Sequence, residues 1–383
     1  MAISAPKARR LGYVDGLRAL AALEVVACHI YGTVNPHSAL LAAIGGYGLA
    51  AVAVFIVLSG FSLSLPVARA GWRISDGALG FYRRRARRIL PPYYAALALS
   101  LFCATSILST PTHTVWGDNL PITWVDVAQR AALIQDFTNR ATINYVFWSI
   151  AVECHIYLAF PLLVAAWRRY ARLFLLVLGV ALTSVLTFAA RLAGFPALYQ
   201  GGAAYLFAYA GLFVVGMFAA SLHVRPSRMS EWLTRCFIWD GLALALLVAC
   251  LIYTSRWSAY AQAALFGVWT LAALSSPLAQ RVLEWRPLVW IGGFSYSLYL
   301  IHAPLIQLIW QYGLHPLRLG PDATYLALLL LGLPVITLAA WGFWRLAERP
   351  FLNTRPVARR AAAGSAAEPA RLASPPGPAL SLD

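Results

Sequence analysis

Charge is scarce in this chain, and negative charge is scarcest. Only 11% of the residues are charged, with 14 Asp or Glu against 30 Lys or Arg. A soluble domain carries about 25%, so a water-facing globular surface cannot be built at this composition. Cysteine is sparse too. Cys28, Cys103, Cys154, Cys236 and Cys250 are scattered, mostly inside apolar runs, which argues for packing residues rather than a disulfide framework or a metal site. No small-residue cleavage site follows the first apolar segment, which carries Arg18 and Glu24 and leads straight into a second, so no cleavable leader is expected. No internal repeat of the kind found in many transporters is visible.

What the chain has instead is apolar length. Hydrophobic residues make up 61% of it and recur in runs of about 18–22, the length needed to cross a bilayer as helix. The pattern predicts an all-α, polytopic membrane bundle of about ten transmembrane helices, near 14–34, 44–64, 89–109, 147–167, 172–190, 201–221, 237–254, 258–275, 288–311 and 323–344. Placing the N-terminus in the cytoplasm puts all but five of the 30 basic residues on the inner side, the exceptions being Arg130, Arg140, Arg191, Arg256 and Arg318. That is the positive-inside bias, so topology accounts for most of the net charge of +16 and a nucleic-acid partner is not needed. Both termini are then cytoplasmic, and the expected location is a bacterial inner (plasma) membrane. Residues 1–351 read as one membrane-embedded domain. The segment 352–383, rich in Ala, Pro, Arg and Ser, reads as a disordered tail. The longest outer connection, about residues 110–146, carries Asp118, Asp126 and Asp136 and is expected to cap the bundle.

Ionisable groups within a hydrocarbon layer cost about 2.5–3.5 kcal/mol each even on insertion scales. Four clusters of polar residues stand out for that reason. Arg18 and His29 lie eleven residues apart in VDGLRALAALEVVACHI, nearly three helical turns, so they share one face with Ala22 and Val25 between them as a shallow slot. FYRRRARRILPPYY puts five arginines before the third span, with Pro91 and Pro92 expected near the helix start. The cluster reads either as an anchor for anionic lipid or as a phosphate clamp, since Arg85 and Arg88 are one turn apart and guanidinium pairs phosphate bidentately. In FWSIAVECHIYLAFPL, Ser149, Glu153 and Tyr157 form one polar stripe, and in WIGGFSYSLYLIHAPL Ser295, Tyr299 and His302 share a face. Both stripes can also be read as structural hydrogen bonds between helices, and His155 as packing. Counting helical rise places His29, Glu153 and His302 at one level, about 21 Å from the cytoplasmic side. The arginines lie beneath them.

The blocks VDGLRALAALEVVACH, VFIVLSGFSLSLP, RRRARRILPPYY, WSIAVECHIYLAFPLL, GFSYSLYLIHAPL and AERPF, in this order and spacing, resemble the integral membrane acyltransferase family 3, which includes sugar O-acetyltransferases. The resemblance implies transfer of an acyl group, usually acetyl from acetyl-CoA, to a hydroxyl of a carbohydrate or glycosylated acceptor, without a metal. The family's arginine and histidine motif falls on Arg18 and His29, its paired arginines on Arg85 and Arg88, and its tryptophan–serine–glutamate block on Trp148, Ser149 and Glu153. Glu24 departs from the family's usual apolar residue. The expected roles follow. Acyl-CoA phosphates sit on Arg18, Arg85 and Arg88, the thioester runs up the slot beside Ala22 and Val25, and His29 takes the hydroxyl proton. Glu153 either orients His29 or holds the acceptor. Trp148, Ser149, Tyr157, Ser295, Tyr299 and His302 line the substrate. The rival reading is a proton-coupled transporter with His29, Glu153 and His302 as a relay.

Overall fold

The computed structural model describes residues 11–137, 142–170, 202–226, 228–253 and 259–352. These residues form helices and turns, with no strand among them. Five helical stretches are long and apolar enough to cross a membrane: Gly12–Val34, Ala39–Arg69, Gly77–Ile107, Tyr145–Arg169 and Pro321–Phe351. Two further pairs, each bent by 75°, raise the count to seven if each is one span. Among the described residues, five to seven of the roughly ten expected spans are thus found. The segments expected at 201–221 and 258–275 overlap the shorter apolar helices Tyr209–Val224 and Ala264–Ser275. The one expected at 172–190 and the tail beyond Leu352 lie outside the described residues.

Helices are numbered α1 (Gly12–Val34), α2 (Ala39–Ile44), α3 (Gly48–Arg69), α4 (Gly77–Phe102), α5 (Trp124–Ala131), α6 (Trp148–Arg169) and α7 (Gly202–Val224). They continue as α8 (Arg228–Arg235), α9 (Ile238–Tyr253), α10 (Ala259–Ser275), α11 (Pro277–Leu283), α12 (Arg286–Gly292), α13 (Ser295–Leu308), α14 (Pro321–Ala327) and α15 (Leu333–Phe343). α1 ends where Asn35 turns left-handed at φ 52° and its N–H returns to Tyr31 O. α4 starts a full fourteen residues before Pro91, so both prolines are interior, not at the helix start. Without amide protons at 91 and 92, the carbonyls of Arg87 and Arg88 lose their usual donors. The break between α12 and α13 falls at Gly293-Phe294, where sequence periodicity alone reads one continuous span.

Two close crossings set the frame. A Cβ on Gly60 would sit 2.2 Å from Phe213 O, and one on Gly216 2.1 Å from Val57 O, so α3 and α7 meet backbone to backbone. α12 meets the first turn of α1 in the same way: a Cβ on Gly292 would lie 1.9 Å from Asp15 O. The connection between α4 and α6 is tied to α4 and to itself by buried hydrogen bonds. Thr123 and Asp126 form a capping box at α5, fully buried Arg130 donates to Thr142 O at 2.7 Å, and Tyr93 on α4 donates to Arg130 O at 2.8 Å.

Candidate active site

A cavity of about 1140 Å³ opens between the first turns of α1, the length of α3, α4, α6 and the α12–α13 bend. Its size is at the upper end of small-molecule sites. Five guanidinium groups face it, from Arg18, Arg69, Arg85, Arg88 and Arg286, with the carboxylates of Asp15, Glu153, Glu284 and Glu348. Arg18 is tied down, donating to Asp15 Oδ1 at 3.3 Å and to Ser62 Oγ at 2.7 Å. No hydrogen bond or ion pair reaches the side chains of Arg69, Arg85, Arg88 or Arg286 from another described residue. Arg85 Nε is buried and unpartnered. A cation left without partners away from water is costly, and an anionic ligand with several acceptor oxygens relieves that cost. Planar forks on successive turns of α4 suit phosphate oxygens. These arginines are therefore the residues that could hold a polyphosphate group.

The cavity climbs α3 rather than α1. Its wall runs from Arg69 to Val52 along α3, a rise of about 25 Å, but on α1 it stops at Arg18. Ala22 and Val25 are buried in the core, so the slot expected between Arg18 and His29 is filled by packing. Gly48 packs against Cys28 Sγ. Val52, one turn further along α3, thus brings the cavity to within about 6 Å of the height of the next residue, His29. Glu24, on another face of α1, accepts from Tyr47 N at 3.1 Å and caps the start of α3.

Glu153 belongs to the cavity. It accepts from Ser59 Oγ at 2.8 Å and, through a shorter bond, from Tyr157 on its own helix. Ser149, one turn earlier, bonds Tyr299 OH at 2.6 Å, and both line the cavity. Ser295 also lines it and donates to Gly292 O at the bend.

The histidines form a separate chain. His302 Nδ1 lies 3.1 Å from Leu298 O, which can only accept, so this nitrogen carries the proton. In the neutral ring Nε2 is then an acceptor, and it lies 2.7 Å from His29 Nδ1. His29 must donate there, which leaves its own Nε2 as a free lone pair on a half-buried ring. The two ring planes lie 19° from parallel, Tyr145 meets His29 edge-on at 4.9 Å, and the Tyr299 ring is 5.7 Å from His302. A base whose tautomer is set by a partner that is itself set by a main-chain carbonyl can accept a proton from a hydroxyl at Nε2.

The structure therefore brings together His29 with His302, and Glu153 with Tyr157 and the arginines. It does not bring Glu153 to His29, since no hydrogen bond joins them among the described residues. The common level expected for all three ionisable groups holds for the two histidines only. Trp148 lies outside the cavity wall, its ring 5.9 Å from Tyr209. His155 is not mere packing but bonds Asp136 at 3.0 Å. Sequence reasoning passed over Ser59 and Ser62, two hydroxyls in an apolar run, and Glu348. That carboxylate, in the AERPF block, is buried and accepts from Ser297 at 2.6 Å. Its signal was available: it is the lone acidic residue between Asp322 and the tail.

A family model described as an acyltransferase domain matches residues 11–345. The chain is 27% identical to YrhL of Bacillus subtilis over 321 residues, covering 77% of this chain and 48% of that one. It is 26% identical over 337 residues to the peptidoglycan O-acetyltransferase OatA of Listeria monocytogenes, covering 77% and 49%. Over 176 residues it is 34% identical to the acyltransferase MdmB of Streptomyces mycarofaciens, covering 44% and 41%. The chain thus spans about half the length of the curated relatives it matches. No solved structure matches it.

Proposed function

We propose, since the chain belongs to the acyltransferase family, that it is a multi-pass enzyme of a bacterial inner membrane that moves an acyl group, acetyl in the first instance, from cytoplasmic acyl-CoA to a hydroxyl of an envelope carbohydrate or glycosylated acceptor. The mouth of the cavity, with Arg69, Arg85, Arg88 and Arg286, faces the cytoplasm in this reading, in keeping with the basic bias of the inner loops. Arg85 and Arg88 hold the phosphates, and Arg18, kept rigid by Asp15 and Ser62, closes the site below the bend. The donor supplies a thioester, whose carbonyl carbon is open to an oxygen nucleophile and whose C–S bond breaks as the ester forms. Ser59, Tyr157 and Glu153 form the wall along which that end climbs, so Glu153 acts on the donor side as a positioning residue.

His29 Nε2 takes the proton from the acceptor hydroxyl as the oxygen attacks. His302 keeps accepting from His29 Nδ1–H, so the imidazolium is held in one orientation until it returns its proton to the departing sulfur. The observation that carries this reading is the 2.7 Å contact between the two histidines, which leaves one nitrogen as the unengaged end of an ordered chain. The presence of a peptidoglycan O-acetyltransferase among the relatives supports a cell-wall carbohydrate as acceptor.

Replacing His29 by Ala tests the proposal. Positioned proton transfer contributes about 10²–10⁴-fold, so turnover with acetyl-CoA should fall by that factor while CoA binding, measured by calorimetry, is retained. Acceptor acetylation at the wild-type rate by His29→Ala overturns the assignment. Proton-driven uptake without acyl transfer points instead to the carrier.

A further inference from the structure

At the other end of α1 the structure holds a second cavity, of about 770 Å³. Leu11, Asp15 and Arg18 face the first cavity, and Thr33, Val34 and Asn35 face this one. His29 lies between them and nearer the second, since Thr33 is only one turn beyond it and donates to His29 O at 2.8 Å. The helix of His302 leads to the same place. Two turns after that residue α13 passes into the π-helical segment Ile309–Leu314, and Trp310 there lines the cavity. Both histidine-bearing helices thus end in its wall. Irregular backbone at such a position suits a segment that borders water.

The lining has a definite chemistry. Trp310 and His315 pack with ring centroids 4.8 Å apart, giving an aromatic platform. His113, Asn35 and Thr33 add hydrogen-bonding groups around it. Arg318 stands beside them, exposed, with its backbone N–H on His315 O and its guanidinium unengaged by any described residue. Among the described residues no carboxylate lines the cavity. Asp322, the acid closest in sequence, is occupied by the backbone N–H groups of His37 and Ser38 at 2.7 and 3.1 Å. On the expected topology Arg318 is also one of five basic residues left outside, and Arg130, another of them, is buried. The bias that removes arginine from outer loops makes a free one there a feature needing a separate cause.

We propose that this second cavity is the acceptor site, and that it selects a saccharide bearing an anionic group. A sugar ring lies on Trp310, whose face suits the axial C–H groups of a pyranose, and a carboxylate or phosphate on the sugar pairs with Arg318. The hydroxyl to be acylated then points down α1 toward His29 Nε2, one turn below Thr33. The inference rests on the acyl-transfer reading for the destination of the sugar, but the site itself does not depend on it.

The test uses the full chain in detergent and three soluble probes: tetragalacturonate for a carboxylate, mannose 6-phosphate for a phosphate, and the methyl ester of tetragalacturonate as the uncharged counterpart. Calorimetry should show at least one anionic probe binding about tenfold or more tightly than the ester, with Arg318→Gln removing the difference. Trp310→Phe, which keeps a ring, should weaken charged and uncharged oligosaccharides alike by severalfold. CoA binding is read on the same samples. Arg318→Gln should leave it unchanged, and Arg85→Ala should weaken it and leave saccharide binding intact. Equal affinity for the charged and esterified forms, no binding of either anionic probe, or full retention of the preference in Arg318→Gln overturns the proposal. Loss of the acyl-transfer reading looks different: CoA then fails to bind the wild type, and the Arg318-dependent preference survives.

Discussion

The arginine cavity and the histidine pair are built on opposite plans. In the cavity, charge outruns partners: four guanidinium groups have no hydrogen bond from the described residues, and one buried Nε is orphaned. Around the histidines every polar nitrogen except one is engaged, in a chain from Leu298 O through His302 to His29. Excess charge without partners marks a place where a ligand completes the structure. A closed chain with one open end marks a place where a proton is received. On the proposed function the difference separates binding from chemistry by location, with the first laid along α3 and α4 and the second along α1 and α13.

The comparison is broken most strongly at His302. His302→Ala should lower kcat about 10²-fold and leave KM for CoA near the wild-type value, because only the orientation of the base is lost. His302→Gln offers an amide oxygen to His29 Nδ1–H, and steady-state kinetics should show it recovering about tenfold of that loss. Equal defects in the two variants would make His302 a packing residue. Next in size is Arg85→Ala. Loss of a charge-assisted contact should weaken CoA binding by about tenfold or more in calorimetry, with kcat at saturation little changed. Raising ionic strength should act in the same direction and more weakly, lowering CoA affinity severalfold in the wild type while kcat at saturating CoA holds. The smallest effect is expected at Glu153. Glu153→Gln keeps an acceptor for Ser59 and Tyr157, so it should move KM for CoA by less than about tenfold and kcat by less than His302→Ala does. If it abolishes turnover with CoA binding intact, Glu153 acts with the histidines and the two plans are one.

Much of this was legible in the residues. A 3.6-residue period with one αL cap is enough to bound α1, and the expected 14–34 differs from Gly12–Val34 only at its start. The same period put Ser295, Tyr299 and His302 on one face, and they do point inward. Height along a helix, by contrast, says nothing about azimuth. Rise per residue, counted for Glu153 and His29 from opposite boundaries, set the two level. The bond of Glu153 to Ser59, eleven residues along α3 from the Gly48–Cys28 contact, instead sets it nearer Arg18. Which neighbour each one faces depends further on how α6 and α1 are rotated in the bundle. That rotation is set by long-range packing such as the glycine contacts of α3 with α7. For the same reason Ala22 and Val25 read as a slot although other helices fill the space. The 75° bend also escaped, because the residues on both sides of Gly293 are equally apolar and hydropathy carries no angle. The prolines of α4 misled in the opposite sense. They signal a helix start in water, but here arginine-rich turns precede them within one continuous helix.

The contact of Gly60 and Gly216 has a mechanical consequence. With only hydrogen atoms between two main chains, neither helix can slip along the other by a residue without driving a methyl into a carbonyl about 2 Å away. α3 and α7 are thereby welded into a single strut, and the long wall of the arginine cavity is part of it. A rocking cycle that opened the molecule first to one face and then to the other could not be hinged at this crossing. The crossing stands beside the arginine cavity, so that wall has no play against α7 when a ligand enters, a construction suited to a site of fixed shape.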